Sequence, residues 1–217
     1  MVVAIDGPAG VGKSTIASCA AKRTKFLWVN SGSFYRLITR TTLGTGKNPQ
    51  KEEDVIEAAA GCHFEMRGDN LYLNGKQAAE DIYSDLIDKW VAFHSSILRV
   101  REMVNQQLKA LAEKRNLIVE GRDIGTVVFP DAEVKIFLDA SLETRSLRRF
   151  RQGVSNLSEE KIMGRLKERD YVDSHKPVGR LERAAGAQYI DTSDLTIKQV
   201  CEKVVAEILK KGKTNRE

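Results

Sequence analysis

A parallel five-stranded sheet covered by helices on both faces, an α/β fold, is what this 217-residue sequence predicts, on three observations. Short apolar runs at 2–5, 26–29, 117–120, 134–138 and 189–191 alternate with stretches of helical character. That alternation is the pattern of parallel strands joined by crossover helices and buried on both faces. Polar residues then gather where the runs end, at Asp6, Ser31, Glu120 to Asp123, and Asp139. In such sheets ligands bind beyond the carboxyl ends of the strands, so these residues should meet around one cleft. Finally, the first run leads into VVAIDGPAGVGKST, whose residues 7–14 match G-x-x-x-x-G-K-[ST].

The chemistry of that loop is legible residue by residue, and it makes the fold P-loop NTPase-like. Gly7, Gly10 and Gly12 permit backbone conformations closed to other residues, so N–H groups along Gly7, Pro8, Ala9, Gly10, Val11, Gly12, Lys13, Ser14 and Thr15 can wrap a triphosphate. A helix over 13–24 points its positive end at the same anion. Lys13 brings a full charge to the outer phosphates, and the Ser14 hydroxyl is placed to ligate Mg²⁺. Glu120, at a strand end, is the candidate for orienting that ion's water shell.

The remaining elements follow in order. After the strand at 26–29, Asn30-Ser31-Gly32 reads as a turn and a helix runs from 33 to about 43, with Tyr35 and Arg36 in its first turn. GTGKNPQ at 44–50 ends it, and a further helix over 51–60 closes at Gly61. Between 62 and 76, HFEM and LYLN alternate around Arg67-Gly68-Asp69-Asn70, with Asn74-Gly75 as a second turn signal. That is a small antiparallel ribbon. Residues 81–113 read as helical with a break near 94–98. A helix at 141–150 carries Arg145, Arg148 and Arg149, 152–157 is a loop, and Ser158 starts another helix. The last helix spans 197–209, and the polar tail KKGKTNRE is expected to fray.

Composition narrows the function. With 41% hydrophobic and 30% charged residues the chain reads as a soluble globular protein. Of the net charge of +5, the stretch 143–183 supplies +4, from 11 Lys/Arg against 7 Asp/Glu. Acids punctuate it and aromatics do not interleave it, which favours an anion-handling element over a nucleic-acid surface. Cys19, Cys62 and Cys201 contain no C-x-x-C pair, and His63, His94 and His175 add no ligand spacing. Cys19 and Cys201 are therefore expected as small core residues of a reducing compartment. With no signal peptide and no run near the ~20 apolar residues that span a bilayer, a cytoplasmic location follows, with no membrane partner.

A GTPase would show an N-K-x-D-like segment, which is absent, and motor-type ATPases need more chain. Many arginines around a small acceptor space instead suit phosphoryl transfer between two anions, so a small-molecule kinase is the preferred class. Here the segments IDGPAGVGKST, SGSFYR, RVRE, EGRDIGTVVFPDA, KIFLDAS and KERDYVDS resemble, in order from 3 to about 193, the bacterial cytidylate kinases, the (d)CMP branch of the nucleoside monophosphate kinases.

The resemblance implies a monomer that transfers the ATP γ-phosphate to CMP or dCMP with Mg²⁺. It implies a core at 1–30, 99–145 and 170–217, a monophosphate-binding region at 31–98 including the ribbon at 62–76, and a lid at 146–169. By matching position, Ser31, Tyr35 and Arg36 belong to the monophosphate pocket. Arg101 and Arg122 would hold the acceptor phosphate with Asp123 beside them, Asp173 would meet the sugar hydroxyls, and Lys176 follows it. Arg148 and Arg151 would be lid residues, and Lys13, Arg122, Asp123 and Arg169 the catalytic group. The sequence departs from the family pattern at Asn30 (usually Asp), Ala92 (often Ser), Lys176 (usually Arg) and Arg180-Leu181 (usually Pro-Leu). These bear on base and sugar choice more than on the reaction. A same-fold kinase for UMP or another small acceptor stays open, as does a regulatory nucleotide binder without an acceptor site.

Overall fold

The computed structural model describes residues 1–78, 80–153 and 157–214. β1 (Val2–Asp6) is buried over all but its first residue, as a strand covered on both faces must be. The phosphate loop turns from it into α1 (Lys13–Thr24), and β2 (Leu27–Asn30) follows. α2 (Ser31–Gly44) begins where a turn was expected at 30–32, with Asn30 in extended conformation directly before its first turn.

α3 (Glu52–Ala60) precedes the ribbon of β3 (Phe64–Arg67) and β4 (Asn70–Leu73). The turn at Asn74-Gly75 then leads into β5 (Lys76–Gln77), making three antiparallel strands. A single 3₁₀ turn at Glu80–Tyr83 precedes α4 (Asp85–His94), and α5 (Leu98–Ala112) follows the expected break. β6 (Leu117–Gly121) is followed by a π-helical turn at Ile124–Val128, then β7 (Val134–Asp139) and α6 (Leu142–Arg151). α7 (Glu159–His175) crosses the expected lid–core boundary at 169/170 without interruption. Of the loop expected at 152–157, residues 154–156 lie outside the described set. β8 (Gln188–Asp191) and α8 (Ile197–Thr214) complete the chain. The tail expected to fray is therefore helical five residues further, through 214, and 215–217 lie outside the described residues.

The five long-range strands pair in parallel in the order β2-β6-β1-β7-β8. This places β1 and its loop at the centre, beside the ends of β6 and β7. One apolar cluster, with Ile16, Ala20, Ile118, Val200 and Val204, seals the sheet under α1 and α8. A second, with Phe34, Leu37, Val100 and Val119, seals the opposite face under the helices at 31–112. A third and smaller one, Ala9 with Ile162 and Leu166, fastens α7 to the phosphate loop.

Cys19 and Cys201 correct the sequence expectation. Cys201 is in the core and Cys19 is partly buried against it, and they are joined in a disulfide between α1 and α8, their Cα atoms 6.2 Å apart across 182 residues of sequence. The two helices cover the same side of the sheet, so their facing sulfurs meet although nothing local in the chain links them. Cys62 is free and buried. No helix among the described residues is long and apolar enough to cross a membrane.

Candidate active site

The carboxyl ends of β1, β2 and β6 open into one cleft of about 330 Å³, and α7 forms its far wall. On the donor side, Gly7 has φ +152° and an added Cβ would run into the Leu138 carbonyl, so only glycine lets the loop leave β1 past the end of β7. Lys13 folds back over the loop, its Nζ donating to the carbonyls of Gly7 (2.8 Å) and Pro8 (2.7 Å). Burial, reinforced by Arg122, pulls its pKa well below the usual lysine value. Ala9 is clamped at both ends: its N–H donates to Asp170 at 3.2 Å, and its carbonyl accepts from Arg145 at 3.0 Å. Arg145 and Asp170 are themselves paired at 2.5 Å.

Beside the loop, the Ser14 hydroxyl donates to Glu120 Oε2 at 3.0 Å and the Trp28 indole N–H donates to Oε1 at 3.1 Å. The Ser31 hydroxyl donates to the Glu120 carbonyl at 2.7 Å. Burial raises the pKa of Glu120, while Lys13 and these donors act in the opposite sense. A hydroxyl and a carboxylate are the hard oxygen donors that Mg²⁺ prefers, and no cluster of three His, Cys, Asp or Glu able to cage a metal occurs among the described residues. The Ser14 hydroxyl and the Glu120 carboxylate side by side fit Mg²⁺, which is bound through one or two protein oxygens and otherwise keeps water.

Across the cleft from the phosphate loop lies a lattice of charges. Arg122 Nε donates to Asp173 Oδ2 at 2.7 Å, with Lys176 at 3.3 Å and Arg169 at 4.0 Å from the same carboxylate. Burial alone would raise Asp173, yet Arg122, Lys176 and Arg169 overcome it and hold its pKa at about 2. Arg169 is brought down to about 10 by its own burial and by Arg122. Deeper in the cleft, Arg101 pairs with Asp123 and donates to the Ser95 carbonyl at 3.1 Å. Burial raises Asp123 despite that partner. Arg36 is held by the Ile82 carbonyl (2.8 Å) and Asp88 (2.5 Å), beneath the Tyr83 ring. Tyr35 is buried, which pushes its pKa up to about 12.

Most of the residues singled out by the sequence therefore reach one cleft. Lys13, Ser14, Thr15, Ser31, Tyr35, Arg36, Arg101, Glu120, Arg122, Asp123, Arg169, Asp173 and Lys176 all lie on its wall, with Ala9, Gly10 and Gly12. Gly7, Pro8 and Val11 lie behind that wall. Arg148 and Arg151 are also off the wall; Arg148 turns to Thr192, donating to its Oγ1 at 3.0 Å and its carbonyl at 2.5 Å. Arg149 and Gln152 face the cleft instead. The helical period rotates adjacent positions by about 100°, so one register choice decides which arginine faces in.

Sequence reasoning passed over Ser95, Tyr83, Trp28, Gly179 and the role of Asp6. A Cβ at Gly179, φ +68°, would collide with the Arg101 guanidinium. Asp6 accepts the N–H groups of Ile124 (2.9 Å) and Gly125 (2.8 Å), tying the turn after Asp123 to the root of the phosphate loop. Burial raises its pKa to about 6. Asn30 and Ala92, marked in the sequence as departures, both lie on the cleft wall.

The sequence profile of the cytidylate kinases matches residues 3–210. The chain belongs to the cytidylate kinase family. It is 39% identical to the cytidylate kinase of Caldanaerobacter subterraneus subsp. tengcongensis over 214 residues, covering 97% of this chain and 96% of that one. It is 41% identical to that of Fusobacterium nucleatum subsp. nucleatum over 204 residues, covering 92% and 93%. Among solved structures it resembles an uncharacterized protein from Eubacterium ventriosum, at 12% identity with TM-score 0.52, over 97% of this chain and 98% of that one. It also resembles TT1252 from Thermus thermophilus, at 16% identity with TM-score 0.50, over 97% and 96%. Those two likenesses speak to the fold alone. Membership in the cytidylate kinase family makes this chain a nucleotide-binding phosphotransferase, and the charged cleft is the part of the molecule suited to that chemistry.

Proposed function

We propose that the chain transfers the γ-phosphate of ATP to CMP or dCMP, giving ADP and the nucleoside diphosphate, and that the charged cleft is where it does so. The observation that carries this reading is the convergence of two anion-binding arrays on one cleft: the phosphate loop with Lys13, and the Arg122, Arg169 and Lys176 cluster around Asp173. An acceptor phosphate oxygen attacks the γ-phosphorus, the bond to the β–γ bridging oxygen breaks, and ADP leaves with that electron pair. The acceptor is already anionic at neutral pH, so no general base is needed; positioning and charge neutralisation do the work.

Lys13 exchanges its two loop carbonyls for β- and γ-phosphate oxygens. Arg122 and Arg169 hold the acceptor phosphate between them; Arg101, which the resemblance put on that phosphate, is taken up by Asp123 and the Ser95 carbonyl and lies with Asp123 at the inner end. Asp173 and Lys176 sit where sugar hydroxyls would meet them, and Arg149 stands in for Arg148 and Arg151 as the lid arginine nearest the cleft. Ser14 and Glu120 would hold Mg²⁺, directly and through water; the ion supplies screening of the phosphate charge that the side chains leave uncovered. The absence of a hydroxyl at Ala92, on the cleft wall, favours a second reading in which UMP is also accepted. A monomer in the cytoplasm, where its nucleotide substrates are, completes the proposal; the Cys19–Cys201 bond is the one feature that pulls toward a more oxidising setting.

The test is ADP release with ATP and Mg²⁺ against CMP, dCMP, UMP, dUMP, AMP and GMP, with Lys13→Ala expected to lower turnover by about 10²-fold or more. Cytidine nucleotides ahead by orders of magnitude support the main reading, and UMP equal to them supports the second. Nucleotide binding with no acceptor phosphorylated would overturn both and favour a regulatory nucleotide binder.

A further inference from the structure

Trp28 is absent from the cleft wall, yet it touches a carboxylate that is on it. β2 and β6 pair in register with Trp28 opposite Ile118 and Asn30 opposite Glu120. Side chains two apart share a face of a sheet, so Trp28 and Glu120 are diagonal neighbours on the side covered by α1, whose first turn delivers Ser14. Each Glu120 oxygen thereby receives one donor, Oε1 from the indole and Oε2 from the hydroxyl. The two donors differ in kind. An indole N–H can only donate, whereas a serine hydroxyl gives its proton in one direction and keeps lone pairs for another.

Glu120 is 3% exposed and feels the Lys13 ammonium as well. A carboxylate held at one oxygen only can rotate toward the stronger charge and leave the serine. The indole blocks that rotation. We propose that Trp28 is a positioning residue: it pins Glu120 so that the Ser14 hydroxyl keeps donating to the carboxylate and leaves its lone pairs free for the magnesium that accompanies the donor nucleotide. This rests on the kinase reading for the presence of that ion, and concerns how the chain prepares to receive it.

The chain has two tryptophans, so Trp28 becomes the sole indole reporter in Trp90→Phe. ADP is the probe, which keeps chemistry out of the measurement. In Trp90→Phe saturated with ADP, adding Mg²⁺ should change the Trp28 emission, and in Trp90→Phe/Glu120→Gln the same addition should not. In the native background, Trp28→Phe keeps a ring and removes the N–H. It should raise the Mg²⁺ concentration for half-maximal binding of the magnesium–ADP complex about 3- to 10-fold, with metal-free ADP affinity unchanged. Emission indifferent to Mg²⁺ in Trp90→Phe, or an unaltered Mg²⁺ requirement in Trp28→Phe, overturns the proposal. If Trp28→Phe fails to fold, the emission experiment decides alone. A native protein that binds magnesium–ADP but phosphorylates no acceptor would sink the kinase reading while leaving this one to its own result.

Discussion

Replacing Asp173 by Asn removes one negative charge from a buried point where three cations meet, at 2.7 Å from Arg122, 3.3 Å from Lys176 and 4.0 Å from Arg169. Asp173 is 5% exposed, so water screens little of the loss. Its pKa falls from 3.8 to about 2, and that shift measures how much better the folded site holds the ionised form than the open chain does. At 1.36 kcal/mol per unit this is about 2 kcal/mol. The folded value is the lower one, so the stabilisation is present above 3.8 and is lost as pH falls through about 2. Asp173→Asn should therefore cost about 2–3 kcal/mol at pH 7, a fall in Tm of about 5–10 °C for a chain of this size. Thermal unfolding of both proteins by circular dichroism at pH 7 is the assay. A variant as stable as the native protein at pH 7, or more so, would refute the assignment of this carboxylate as the counterweight of the cluster.

Asp6 runs with the opposite sign: its folded pKa of about 6 lies above the 3.8 of the open chain, so its contribution is present below 3.8 and is lost as pH rises through about 6. The stability of the native protein relative to Asp6→Asn should fall by about 1 kcal/mol between pH 5 and pH 7.5, read from denaturant unfolding at the two pH values. Reducing the Cys19–Cys201 bond, which closes 182 residues of chain, should lower Tm, with about 5 kcal/mol as the chain-entropy ceiling. Thiol counting in denaturant should find one reactive thiol before reduction and three after it. Gly179→Ala, at φ +68° and against Arg101, should destabilise by about 1–3 kcal/mol and raise the KM for the acceptor more than the KM for ATP.

What the sequence made legible was what the chain decides locally. β1, the phosphate loop and α1 follow from a dozen consecutive residues, and α1 spans the expected 13–24. The core strands β6 and β7 were legible because apolar runs bounded by polar ends have few other fates. The parts that escaped depend on distant partners. The π-helical turn at Ile124–Val128 is held by Asp6, more than a hundred residues earlier. β5 is two residues long and exists only because β4 lies beside it. Arg148 faces Thr192 and leaves the cleft to Arg149, a choice made by the helix's seat on the sheet and not by its composition. Trp28 met Glu120 only once β2 and β6 were in register. For the same reason two well-separated cysteines gave no hint of their pairing.

One helix touches both charged arrays of the cleft. α7 presses Ile162 and Leu166 onto the phosphate loop, grips Ala9 through Asp170, and eleven residues beyond Ile162 presents Asp173 to Arg122. At 1.5 Å per residue that is a rod of about 17 Å, with a donor at one end and an acceptor at the other. Such a lever cannot lift from one mouth of the cleft without swinging through the second. If both nucleotides bind as proposed, one tilt of α7 would release both, so donor occupancy should slow the departure of CMP, a change that stopped-flow displacement would register directly.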